Sequence, residues 1–171
     1  ESNTDTMLVP DFGILVKRQD GTKIGPVDIE QIKTAWAQIN SLFGNLKTMA
    51  AADGLKISHT GSKLVFASKA AGMYVPQMRT IAVSDKFGPE QFTAIMAHEV
   101  GHYIDHKLGQ TQNRRYITDD FEGTPGRVAF TLRENMNEPS DSDYINATKE
   151  CFARAMEQYF AIETFGDDAE L

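Results

Sequence analysis

The chain has 171 residues, of which 41% are hydrophobic and 24% charged, a balance that suits one folded domain and excludes a disordered chain. The formal net charge of −7 argues against a general nucleic-acid binder, which is normally basic. The single cysteine, Cys151, excludes an intrachain disulfide and any cysteine-based zinc cluster, and it fits a reducing compartment.

No apolar run approaches the roughly 20 residues needed to cross a bilayer. The opening run Glu1-Ser2-Asn3-Thr4-Asp5-Thr6 is polar and has no basic-then-apolar leader pattern. The expectation is a cytoplasmic protein without a membrane partner. A start without Met reads as a processed product or an excised domain.

Residues 1–26 contain Pro10, Gly13, Gly21, Gly25 and Pro26 around the apolar stretch Phe12-Gly13-Ile14-Leu15-Val16, which predicts an N-terminal arm with one short strand and a turn at Asp20-Gly21. Residues 27–171 then form the main domain. From 28 to about 52, Ile29, Ile32, Ala35, Trp36, Ile39, Leu42, Phe43 and Leu46 recur at helical spacing, and Asp28 is placed to cap that helix. The stripe is core and carries no chemistry.

Two strand-like runs follow, at residues 55–59 and 63–67. The turn Thr60-Gly61-Ser62 between them predicts a hairpin. Gly72-Met73-Tyr74-Val75-Pro76 comes next, with Pro76 suited to an edge or a strand end. Residues 78–84 are rich in β-branched side chains and predict a strand, with the character of an edge that could pair with an extended substrate. Tyr74 reads as strand packing, with the lining of a substrate cleft as the alternative.

Gly88-Pro89-Glu90 opens a helix that Phe92, Ile95, Met96, Val100, Tyr103 and Ile104 continue to about Leu108, with Gly109 as its stop. Residues 110–126 predict a polar surface loop. Residues 127–135 fit a short helix or a strand. A last helix is expected over about 146–165, before an acidic tail, and Cys151 within it reads as a small buried hydrophobe.

The chemistry lies in His98-Glu99-Val100-Gly101-His102. Histidines four apart on a helix are separated by one turn, about 6 Å along the axis, so both imidazoles face one side and can hold one ion. Zinc accepts neutral imidazole nitrogens in a tetrahedral site with one position open to water. Glu99 is placed to take that water's proton. His106 lies about 12 Å along the axis from His98, too far to share the ion, and reads as a helix-end residue. His59 reads as structural or surface. Leu108 occupies the position where a metzincin would carry its third histidine. Asp105 is placed either to orient a ligand imidazole or to face solvent. The third ligand must then come from elsewhere: a carboxylate of the last helix would complete a two-His, one-Glu site, with Glu150 the better candidate, Glu157 two turns on as its competitor, and a solvent-facing position the alternative for either.

His98-Glu99-Val100-Gly101-His102 followed by Glu150-Cys151-Phe152-Ala153-Arg154-Ala155 resembles the gluzincin metallopeptidases, in particular anthrax lethal-factor-type catalytic domains. The family's downstream helix reads Glu-x-Phe-Ala-Glu-Ala, and its first Glu, the zinc ligand, falls on Glu150. The family's second acid falls on Arg154, so its role does not carry over. The family's transition-state tyrosine is best matched by Tyr144, six residues before Glu150 where the family spacing is seven. Residues 42–162 also resemble the zincin-like domains of large polyvalent proteins of phages and conjugative elements, on Gly72-Met73-Tyr74-Val75-Pro76, the strand through Ile81, and the two motifs above.

The resemblance implies an α+β zincin-like fold and a zinc endopeptidase acting on a protein or peptide substrate. His98, His102 and Glu150 would be its metal ligands, with Glu99 and Tyr144 as catalytic groups. The competing reading is a zincin-fold interaction module of a mobile-element or effector protein, with little or no catalysis. Oligomeric state and cleavage preference are not encoded in any of these motifs.

Overall fold

The computed structural model describes residues 6–9, 14–17, 26–42, 46–60, 71–84, 87–119, 127 and 144–166. The chain is α+β and divides into two compact units, Glu1–Met96 and Ala97–Glu170, with the division falling inside one continuous helix.

The first unit is built on a five-stranded sheet of β1 (Thr6–Val9), β2 (Ile14–Lys17), β3 (Lys56–Thr60), β4 (Gly72–Val75) and β5 (Thr80–Ser84), in the order β1-β2-β3-β5-β4. β2, β3 and β5 run parallel; β1 and β4 close the two edges antiparallel. The N-terminal segment thus carries two strands where one was expected, and both are hydrogen-bonded into the sheet. All of β5 is buried, polar Thr80 and Ser84 included, as suits a strand covered on both faces.

Lys56–Ser58 has β2 on one side and β5 on the other, both parallel. The second run of the expected hairpin, 63–67, lies outside the described residues, as do Gly61 and Ser62 of its turn. The edge is β4, not the 78–84 run, because β4 covers β5 with Val75 opposite Thr80 and Gly72 opposite Val83. Pro76 sits where its missing N–H does least harm, ending this edge strand and opening a 3-10 turn over Pro76–Met78. Arg79 closes that turn in the left-handed region (φ 49°). Its carbonyl accepts from Lys56 N at 2.8 Å and its guanidinium donates to the Asp53 carbonyl at 3.1 Å.

The single helix expected over 28–52 is two, α1 (Pro26–Leu42) and α2 (Leu46–Asp53). The interval Phe43-Gly44-Asn45 lies outside the described residues; it contains glycine, the poorest helix former after proline. Helix α1 begins at Pro26, whose fixed φ suits the first helical position, so Asp28 belongs to the first turn rather than the cap. Helix α2 ends in a Schellman motif: Gly54 takes φ 64°, Leu55 N donates to Ala50 O and Gly54 N to Ala51 O. The core of this unit includes Ile32, Trp36, Ile39, Leu46, Leu55, Ile57, Ile81 and Phe92, all buried.

The second unit holds most of α3 (Pro89–Thr111), a 3-10 turn at Ile117–Asp119, and α4 (Tyr144–Phe165). Helix α3 starts at Pro89 as expected but runs past Gly109. Its stop is Asn113, at φ 56°, where Arg114 N donates to Gly109 O and Asn113 N to Gln110 O. Gly109 serves close approach instead: a Cβ there would lie 2.5 Å from Tyr116 Cα. The segment expected to be polar surface accordingly brings Tyr116, Ile117 and Thr118 into the interior. Buried Asp105 holds it there, accepting from Thr118 N at 2.9 Å and Thr118 Oγ1 at 2.7 Å. Helix α4 begins two residues earlier than expected and ends at Gly166 (φ 93°). Of the ambiguous 127–135 run only Arg127 is described, and it is helical; the acidic tail lies outside the described residues. Among the described residues no helix is long and apolar enough to cross a membrane.

Candidate metal centre

Every group of the site belongs to the second unit, on α3 and α4. His98 and His102 project from one face of α3, their ring centroids 5.1 Å apart and their planes 78° from parallel. Their contacts fix the sense of the helix pair: His106 lies beside Tyr116, over which Lys149 sits, His102 meets Glu150, and His98 reaches Glu157. The order along α4 therefore rises as that along α3 falls, and the two helices run antiparallel.

Gly101 sets how closely they approach. A Cβ at this position would stand 3.1 Å from Ala153 Cα and 3.2 Å from Met156 Cβ, tighter than ordinary packing. With only hydrogen there, the α4 backbone comes close enough for the Glu150 carboxylate to span both histidines. Glu150 Oε1 lies 2.9 Å from His102 Nε2 and Oε2 lies 3.2 Å from His98 Nε2. Of the two acids, Glu150 is the one whose carboxylate faces both Nε2 atoms. Ligand atoms of His98, His102 and Glu150 all lie within 4.8 Å of one another. Glu157 Oε2 instead meets the other ring nitrogen of His98, Nδ1, at 2.9 Å.

The electrostatics follow from this crowding. Burial by itself lowers the pKa of His98, but the hydrogen bonds to Glu150 and Glu157 overcome it and hold the imidazole up at about 10. Both ring nitrogens of His98 face carboxylate oxygens, an arrangement that only a doubly protonated ring satisfies in the metal-free chain. The hydrogen bonds from His102 and His98 hold the Glu150 carboxyl far below the usual carboxylate range. Glu99, next to His98 in sequence and only 6% exposed, is pushed up to about 7 by burial, against the lowering effect of the two imidazoles.

The donor set fits zinc. Four ligands about 2.0–2.2 Å from a tetrahedral ion stand about 3.3–3.6 Å from one another. The Glu150 oxygens already lie 2.9 and 3.2 Å from the two Nε2 atoms. Two imidazoles and one carboxylate also leave a fourth position open to water, as catalytic rather than structural zinc sites do.

Other candidates fall elsewhere. Tyr144 is the first residue of α4, and its side chain lies outside the described residues, as does that of His59 on β3. His106 ends up against the Tyr116 ring, with centroids 5.6 Å apart. Asp105 is fully buried, not facing solvent, and its two oxygens accept from Thr118 N and Thr118 Oγ1. Cys151 is buried and forms no disulfide. Tyr74 is half-buried on edge strand β4 of the first unit. Sequence reasoning missed the contact of Glu157 with His98, although its spacing of seven from Glu150 places both acids on one face of α4. No protein-family model and no curated protein matches this chain.

Proposed function

We propose that this chain is a zinc-dependent endopeptidase with a gluzincin-like site in a zincin-like fold, acting on protein or peptide substrates. The observation that carries the reading is the convergence of His98 Nε2 and His102 Nε2 on the two oxygens of Glu150, with Glu99 buried alongside. His98, His102 and Glu150 would hold the ion. When bound, zinc supplies a water acidified toward neutral pH and a Lewis acid for the scissile carbonyl.

The remaining roles belong to the chain's own groups. A Glu99 carboxylate oxygen takes the proton of the attacking water and then delivers it to the leaving amine nitrogen. Burial keeps bulk water from competing for that proton and strengthens its interactions. Tyr144, at the start of α4 and six residues before Glu150, is the proposed donor to the developing oxyanion.

The test is zinc stoichiometry and cleavage of a peptide library by the wild type and by Glu99→Gln. The expected result is one zinc per chain in both proteins, with turnover reduced at least about 100-fold in the variant. Full activity in Glu99→Gln, or a wild type that binds no zinc, would sink the proposal. Stoichiometric zinc with partner capture and no cleavage would favour the interaction-module reading instead.

A further inference from the structure

We propose that Glu157 is a positioning residue for the metal centre: it holds the Nδ1–H of His98 and so presents Nε2 to the ion. This rests on the zinc reading above and deepens it. An imidazole that gives one nitrogen to a metal must carry its proton on the other, and which nitrogen does so is set by what the second one meets. For His98 the two nitrogens have different partners. Nε2 faces Glu150 and the converging donors, whereas Nδ1 faces Glu157 Oε2 at 2.9 Å.

Glu157 is well placed for this and badly placed for coordination. Its carboxylate lies beyond the His98 ring from the converged ligand atoms, which are those of His98, His102 and Glu150. The contact is sheltered, with the His98 side chain 17% exposed and that of Glu157 24%, so the bond is less screened than one on the open surface. The residue one turn after Glu150, Arg154, is exposed and cationic and cannot accept a proton from His98. Two turns after Glu150, the same face of α4 returns to α3 and supplies the carboxylate. The two acids thus grip one imidazole from both ends, Glu150 on the metal side and Glu157 behind it.

The experiment measures zinc affinity by chelator competition for the wild type, Glu157→Gln and Glu157→Ala, with circular dichroism as the check on folding. The expected dissociation constant rises about 10–100-fold in Glu157→Ala. The rise is smaller in Glu157→Gln, whose amide oxygen still accepts from Nδ1–H but carries no charge. In the zinc-loaded wild type, NMR should show His98 protonated at Nδ1 with slow exchange. That signal broadens in Glu157→Ala while the His102 ring signals hold, a selectivity that general loosening of the helix pair would not give. Wild-type affinity in Glu157→Gln together with an unchanged His98 signal overturns the proposal. If Glu157→Ala fails to fold, the Gln variant alone decides. A wild type that binds no zinc would defeat the zinc reading itself, whereas wild-type binding unaffected by either substitution defeats only the role of Glu157.

Discussion

Replacing Gly101 tests whether the close helix pairing is what makes the site. In Gly101→Ala the new Cβ meets Ala153 Cα at 3.1 Å and Met156 Cβ at 3.2 Å. Carbon atoms pack best about 3.5–4.0 Å apart, so α4 must retreat by about 0.4 Å or more. Two opposing effects then act on stability. Glycine to alanine within a helix gains about 1 kcal/mol, and overpacking costs about 1–3 kcal/mol. The net is a loss of about 0–2 kcal/mol, a fall in Tm of at most about 8 °C for a chain of this size. The metal site has no such compensation, because the same retreat draws Glu150 away from both histidines. A penalty of about 1 kcal/mol in coordination weakens zinc binding about fivefold. Gly101→Val adds two more carbons and recovers less helix propensity, so it should lose both stability and zinc affinity more severely. Thermal melts of the chelated protein and zinc competition assays read the two effects separately. A Gly101→Val protein that melts and binds zinc as the wild type does would refute the role given to this glycine.

Gly109→Ala should cost more than Gly101→Ala, because its Cβ would lie 2.5 Å from the backbone of Tyr116, which cannot swing aside as a side chain can. The expected loss exceeds about 2 kcal/mol and is accompanied by faster amide exchange at Thr118, whose N–H is held by Asp105; a wild-type melting curve would contradict it. The metal-free chain should be more stable at pH 5.5 than at pH 8.5, as measured by urea unfolding under chelation. The raised pKa of His98 gives stability that is complete below about 6.5 and lost as pH rises through about 10. The depressed pKa of Glu150 gives stability that is present above about 4.5 and lost only as pH falls well below it. Glu99, raised to about 7, destabilises the fold increasingly as pH rises from about 4.5 through that value. All three place the optimum at mildly acidic pH. Zinc should reverse the trend, stabilising more at pH 8.5, because its ligands must release their protons. A metal-free chain that gains stability from pH 5.5 to 8.5 would count against this charge arrangement.

What could be read from the sequence was whatever depends on local periodicity. His98 and His102 had to share a face because a helix turns every 3.6 residues, and Glu99 had to sit beside them. Spacing also marked Glu150 and Glu157 as two points on one face of α4. It could not say which would meet a metal, since that depends on how α4 slides along α3, and Gly101, Ala153 and Met156 decide the slide. Strand order was hidden for the same reason. Thr60-Gly61-Ser62 is a sound local turn signal, but the neighbours of β3 come from residues about 40 positions upstream and about 24 downstream. Gly109 was misread as a stop because glycine suits both a helix end and a tight contact. The burial of Tyr116 against it, invisible in the sequence, selected the second.

The charge balance of the site gives a reason, independent of the motif, why the helix pair should hold a cation. Glu99, Glu150 and Glu157 surround two imidazoles within a partly buried space. Were both histidines neutral, as ligands must be, three carboxylates would remain, and Arg154, the cation between Glu150 and Glu157 on α4, is exposed. Repulsion among them and desolvation of each would then oppose folding. The metal-free chain escapes by keeping His98 protonated and Glu99 close to neutral, which explains the opposite displacements of Glu150 and Glu99 although both are carboxylates in one site. A divalent cation would relieve the same imbalance without protons: on the proposed reading it would take the His98 Nε2 lone pair, leave Nδ1–H for Glu157, and favour Glu99 as the charged base. The arrangement would then have two internally consistent states, one held by protons and one by metal. The exchange between them should release protons on zinc uptake at neutral pH.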